Sequence, residues 1–200
     1  MSAGRCLRVS YALIAPVYDR LVGRPTLTAR RRSIAALGDL TGRRVLLDGV
    51  GTGLDLPLLA TGTDAVGIDF SRPMLKRAAA RGRDVVLHQG DAMALPYPDE
   101  AFDAVIMHLI LAVVPEPVRA LGEAARVLRA GGRVAVFDKF LKPAQKAPLR
   151  RLLSPLSGRL ATRTDVVFEA VLARCPDLAV IGDEPALAGG WFRRILLKKY

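Results

Sequence analysis

Cysteine, acid and long apolar runs are all scarce in this sequence. The only cysteines, Cys6 and Cys175, lie far apart and outside any Cys-x-x-Cys or Cys/His cluster, so neither a disulfide framework nor a zinc site is indicated and no metal is expected. No window approaches the roughly 18 uninterrupted apolar residues of a spanning helix. The chain is therefore expected to be soluble or attached to a membrane from one side. Arg5 and Arg8 precede an apolar segment that Pro16, Asp19 and Arg20 interrupt, which does not make a secretory signal. A cytoplasmic location follows as the expectation. There is no internal repeat.

Acidic residues number 19 against 30 Lys and Arg, a formal charge of +11. Such an excess favours nucleic acid, an acidic membrane surface or an acidic small substrate; the alternative is an arginine-rich solvated surface with no anionic partner. What the chain does have is 200 residues with 51% hydrophobic content, enough for one compact domain with a concave site.

Apolar runs alternate with helical stretches. Residues 11–40 read as helical, broken at Gly23 and Pro25, with Arg30, Arg31 and Arg32 on a polar side and Ile34, Leu37 and Leu40 at helical spacing. Strands are expected at 43–48, 65–69, 85–88, 102–109 and 133–137. Helices are expected at 54–60, 73–81 and 117–129, the last stopped by Gly131 and Gly132. After Phe140 comes a basic stretch, 142–163, in which leucines interleave with Lys146, Arg150, Arg151 and Arg159. A helix at 166–174 and strands at 178–183 and 191–197 close the chain. These last two are too close in sequence for a crossover and should pair antiparallel at the sheet edge. The alternation predicts an α/β, Rossmann-like, doubly wound, mostly parallel seven-stranded sheet with an antiparallel C-terminal edge hairpin. Its parts are a helical lid (1–40), a core (41–140) and a basic segment with closing strands (141–200).

Three loops carry candidate chemistry. Asp48-Gly49-Val50-Gly51-Thr52-Gly53 follows the first strand, where glycines let the backbone approach a ligand at the switch point of an open sheet. Asp69 ends the second strand in Gly67-Ile68-Asp69-Phe70-Ser71, placed to accept hydrogen bonds from a ribose. Its alternative role is to cap the next helix, for which Ser71, before Pro73, is better placed. Gly90-Asp91-Ala92 follows the third strand, where an acid can accept from an adenine amine or simply shape a turn.

Together with Arg72-Pro73-Met74-Leu75, Leu95-Pro96-Tyr97, Ala101-Phe102-Asp103-Ala104-Val105 and Arg126-Val127-Leu128-Arg129-Ala130-Gly131-Gly132, these loops resemble the class I S-adenosylmethionine-dependent methyltransferases from about Tyr11 to Lys139. The resemblance implies S-adenosylmethionine as cofactor and S-adenosylhomocysteine as product. It also implies a cofactor site of Asp48, Gly49, Gly51, Thr52, Gly53, Asp69, Phe70, Met74, Asp91, Ala92 and His108. One departure stands out. The family usually has an acid two positions before the first glycine, and here that position is Leu47, with Asp48 one place later on the other face of the strand.

Methyl transfer from a sulfonium is a direct displacement that depends on alignment. His108, at the end of the fourth strand, is a candidate catalytic residue facing the substrate; the other reading is a core histidine with both ring nitrogens bonded. Asp138 and Lys139 are secondary candidates or a surface ion pair. Tyr18 resembles the lid of these enzymes and is the second catalytic candidate. Ala112-Val113-Val114-Pro115-Glu116-Pro117, Arg163-Thr164-Asp165 and Gly189-Gly190-Trp191-Phe192-Arg193 resemble bacterial phosphatidylethanolamine N-methyltransferases, with quinone methyltransferases as cousins. The implied acceptor is a lipid or other small molecule, with the basic segments lying on an anionic surface such as the inner face of the cytoplasmic membrane. The alternatives are a soluble enzyme with a small-molecule or quinone acceptor and a non-catalytic binding module. Nucleic acid is not expected as a partner, because there is no base-methylation motif and no aromatic-studded basic stripe.

Overall fold

A computed structural model describes residues 19–81, 84–141 and 165–200. The strands are β1 (Arg44–Asp48), β2 (Asp64–Asp69), β3 (Val86–Gln89), β4 (Phe102–His108), β5 (Leu128–Lys139), β6 (Leu178–Leu187) and β7 (Phe192–Lys199). They form one sheet in the order β3-β2-β1-β4-β5-β7-β6. Strands β1 to β5 pair in parallel, and β7 runs antiparallel to both β5 and β6. The closing hairpin thus occupies the edge with β7 inside and β6 outermost.

Side-chain alternation divides the core in two. Leu46, Val105, Met107, Val134, Val136, Ile195 and Leu197 point to one face, where α3 (Pro117–Val127) and α4 (Phe168–Leu172) cover them. Val45, Leu47, Ala104, Ile106 and Ala135 point to the other, packed by the end of α1 (Arg24–Ala35) and by α2 (Arg72–Ala79). A sheet buried on both faces needs apolar residues at consecutive positions, which is why β1 and β4 read as continuous hydrophobic runs.

Several expectations shift. No α-helix fills 54–60; a single 3₁₀ turn, Leu56–Leu58, stands there, because Pro57 lacks an N–H and disfavours the helical conformation of Leu56. Helix α3 ends at Val127 rather than reaching Arg129. Leu128 already pairs with Phe102, and the register then jumps so that Arg133 opposes Ala104. The glycines therefore sit in a strand bulge, where Gly131 takes a φ of 76°. Arg30 does not share the polar side of α1 with Arg31 and Arg32: it is 2% exposed. The basic stretch expected at 142–163 and the first part of the expected N-terminal helix, 11–18, lie outside the described residues; the rest of that helix is a π-helical turn, Asp19–Gly23, followed by α1, which ends at Ala35 rather than Leu40. Among the described residues, no helix is long and apolar enough to cross a membrane.

Candidate functional site

Strand order reverses between β1 and β4, and the gap outside their carboxyl ends is where an open α/β sheet binds ligands. A cavity of about 320 Å³ lies there, within the small-molecule size class. Of the residues expected from sequence, Asp48, Gly49, Gly51, Asp69, Phe70, Met74, Asp91, Ala92 and His108 line it. Thr52 and Gly53 do not. Ile68, Ser71, Gly90, Met93 and the run Leu109, Ile110, Val113, Val114 and Pro115 complete the wall. Tyr18 lies outside the described residues.

The glycine loop is shaped by its neighbours. Gly51 has a φ of 55°, and a Cβ there would meet nothing closer than the Gly49 carbonyl at 3.9 Å, so its open side faces the cavity. Gly53, at φ 77°, is packed instead: an added Cβ would lie 2.9 Å from the Ala78 Cα on α2. The Thr52 hydroxyl donates to Asp19 Oδ1 (2.6 Å), and its carbonyl accepts from Arg81 Nε (2.6 Å). Arg81 in turn pairs with Asp19 at 2.8 Å. Thr52 therefore anchors the loop from behind.

Asp69 Oδ2 accepts from the Gly51 N–H at 2.8 Å and Oδ1 from the Ser71 N–H at 2.7 Å. Burial pushes its carboxyl up, and these two N–H donors oppose the shift. Ser71 does not cap α2 with its side chain; its Oγ is buried without a partner in the cavity wall. Asp91 Oδ1 accepts from the Met93 N–H at 2.9 Å, so the turn-shaping role is realised on a residue that also lines the cavity.

The His108 ring is fixed from both sides, Nδ1 by Asp55 Oδ2 and Nε2 by Ser33 Oγ, each at 3.0 Å. Asp55 also pairs with Arg30 at 2.8 Å. Arg30 donates further to Thr26 Oγ1 and to the carbonyls of Leu54 and Gly23. Burial pushes Asp55 up, but His108 and Arg30 outweigh it and hold its carboxyl below the usual range. This network joins α1, the chain after the glycine loop and β4. Sequence reasoning missed Arg30, Ser33 and Asp55. The signal was the helical phase of Arg30 with Thr26, Ser33, Ile34 and Leu37, all buried.

Beyond His108 the backbone turns through Leu109 at φ 59°, a strained position that sends 109–115 over the cavity. Asp138, fully buried, holds this loop by accepting from the Ala112 N–H at 2.9 Å. Asp138 and Lys139 are thus not a surface pair; burial raises the carboxyl of the first and lowers the ammonium of the second.

The wall fits a polar, cationic ligand. It presents Asp48, Asp69 and Asp91, and both Asp48 oxygens and the Ser71 hydroxyl are buried without hydrogen-bond partners. Glycine at 51 leaves room for a ligand against the backbone. S-adenosylmethionine carries a sulfonium, an ammonium and ribose hydroxyls, groups to which a wall of carboxylates and a hydroxyl is chemically complementary. Among the described residues, no cluster of three or more metal-ligating side chains occurs.

Comparisons with known proteins agree. The methyltransferase domain family matches residues 47–136. A phosphatidylethanolamine N-methyltransferase of Cereibacter sphaeroides is 38% identical over 185 residues, covering 88% of this chain and 89% of that protein. A demethylmenaquinone methyltransferase of Renibacterium salmoninarum is 41% identical over 130 residues, covering 62% of this chain and 55% of that protein. A solved S-adenosylmethionine-dependent methyltransferase from Thermotoga maritima superimposes with a TM-score of 0.71 at 23% identity, over 97% of this chain and 100% of that one. That last likeness is one of fold.

Proposed function

The chain belongs to the class I S-adenosylmethionine-dependent methyltransferases, and from that premise we propose that it methylates the amine of phosphatidylethanolamine or a related lipid at an anionic membrane surface. The observation that carries this reading is the extent of the likeness. The match to the phosphatidylethanolamine enzyme runs through nearly the whole of both chains, whereas the quinone enzyme matches over about half of its own length. Of the two relatives, the phosphatidylethanolamine enzyme extends its match further beyond the cofactor core.

When bound, S-adenosylmethionine supplies an electrophilic methyl carbon on a positively charged sulfur. The chain's own task is alignment, holding donor and acceptor in line and excluding water. Asp69 and the Gly51 backbone fix one side of the site, and the apolar run 109–115 forms a wall beside which an acyl chain can lie. His108 acts as a positioning residue, because both ring nitrogens are engaged with Asp55 and Ser33. Its backbone at the end of β4 sets the start of the 109–115 loop. The net charge of +11 supports cytoplasmic-face binding to an anionic leaflet, each basic residue near the surface contributing on the order of 1 kcal/mol.

The second reading is a quinone acceptor, favoured by the 41% identity of the quinone enzyme over its 130 matched residues. Transfer of labelled methyl groups to mixed phosphatidylethanolamine and anionic-lipid vesicles, set beside transfer to a demethylated quinone in detergent, separates the two. Label in the lipid supports the proposal. Label in the quinone alone refutes it.

A further inference from the structure

One acid in the cavity wall has no protein partner. Asp48 is 1% exposed, and neither Oδ1 nor Oδ2 has a hydrogen-bond partner. A buried charge so placed is costly, and its surroundings add to the cost. Asp69 at the end of β2, Asp91 after β3 and Glu123 on α3 all act on it by like charge, and no cation is among the groups that do. Glu123 is already paired with Arg126 at 2.8 Å. The Tyr97 phenol is pushed up to about 12, by burial first and then by Asp48. Surrounded by protein groups alone, the Asp48 carboxyl lies well above its ordinary value, burial being the largest cause.

Such an orphan needs an explanation, and a cationic ligand provides one. Leu47, at the position where the family usually has its acid, packs into the apolar core with Val45 and Ile106. Asp48 is the nearest acid to it in the strand and lines the cavity. Resting on the assignment of S-adenosylmethionine to this cavity, we propose that Asp48 is the residue by which the site distinguishes the positively charged sulfonium cofactor from its uncharged thioether product. A cation beside Asp48 favours its carboxylate over the protonated form, so binding of the sulfonium shifts protons to solvent as the two charges come together. The thioether of S-adenosylhomocysteine offers no such compensation. The proton then returns and the product leaves more readily.

The test is calorimetric titration of the full chain with S-adenosylmethionine and S-adenosylhomocysteine, near neutral pH, in two buffers of different ionisation enthalpy. The wild type should release more protons on binding the sulfonium than on binding the thioether. Asp48→Asn should abolish that difference and weaken S-adenosylmethionine about tenfold or more, each tenfold being about 1.4 kcal/mol, while S-adenosylhomocysteine changes by less than about threefold. Equal weakening of both ligands, or an unchanged ratio, overturns the proposal, since either makes Asp48 a residue that merely shapes the loop. Should the variant fail to fold, the wild-type buffer pair still decides, and equal proton release for both ligands overturns it. Absence of binding by either ligand to the wild type removes the cofactor assignment and this proposal with it.

Discussion

Replacing Arg30 with methionine tests the buried network beneath the site. The guanidinium is 3% exposed and the Asp55 side chain 14%. Arg30→Met keeps much of the side-chain volume but removes four hydrogen bonds, to Thr26, Leu54, Asp55 and Gly23. Breaking a buried pair by removing one partner costs about 3–5 kcal/mol, because the other charge stays behind. For a chain of this size that corresponds to a fall in melting temperature of about 6–20 °C, readable by thermal circular dichroism. The pH dependence follows from Asp55. Its folded value is depressed, so its contribution is present above the unfolded value and is lost as pH falls through the folded one. Without Arg30 the depression weakens, and acid unfolding should begin at higher pH. Removing both partners, in Arg30→Met/Asp55→Ala, should cost less than the sum of the single changes. A melting temperature within about 2 °C of wild type, or strict additivity in the double variant, would refute the reasoning.

Gly53→Ala should destabilise by about 2–5 kcal/mol, combining the left-handed backbone with overpacking against Ala78; Gly51→Ala, facing open space, should show only the backbone share of about 1–2 kcal/mol. Chemical denaturation of the two variants side by side checks the order. Asp69→Ala should abolish binding of both S-adenosylmethionine and S-adenosylhomocysteine while the circular dichroism spectrum is retained, and calorimetry shows whether it does. The folded value of Asp48 is raised, so stability is fully present below its unfolded value and is lost as pH rises above it. Asp48→Asn should therefore raise the melting temperature at neutral pH and leave it unchanged in strong acid.

The strands were legible because the sheet is covered on both faces, so β1 and β4 announce themselves as apolar runs that no surface element would carry. The three cavity loops were legible because close backbone approach requires glycine and ligand hydroxyls require acids at strand ends. The remaining features depended on tertiary context. Three consecutive arginines read as one polar side, yet a helix turns about 100° per residue, and that rotation takes Arg30 into the interior while Arg31 and Arg32 stay outside. Its ion-pair partner Asp55 lies 25 residues away in sequence and carries no local signal. Ser71 looked like the cap of α2, but Asp69 takes the Ser71 N–H and the hydroxyl is left buried without a partner. Pro57 was visible and sufficient to exclude the helix at 54–60; the apolar run around it obscured that.

A basic protein with an acidic cavity should respond to salt in two ways at once. The net charge of +11 acts over the surface, where an ionic atmosphere screens interactions beyond about 8 Å at physiological strength. Asp48 is buried and Asp69 partly so, and charges in such places are screened much less than exposed ones. Raising salt from low to several times physiological strength should therefore release the enzyme from anionic vesicles while leaving its affinity for S-adenosylmethionine nearly constant. Co-sedimentation reads the first and calorimetry the second. Parallel decline of both would place the cofactor's electrostatic attraction in solvent, contrary to a site centred on the buried Asp48. Constant vesicle binding would show that the basic residues do not hold the enzyme at the membrane, and the lipid acceptor would lose its electrostatic support.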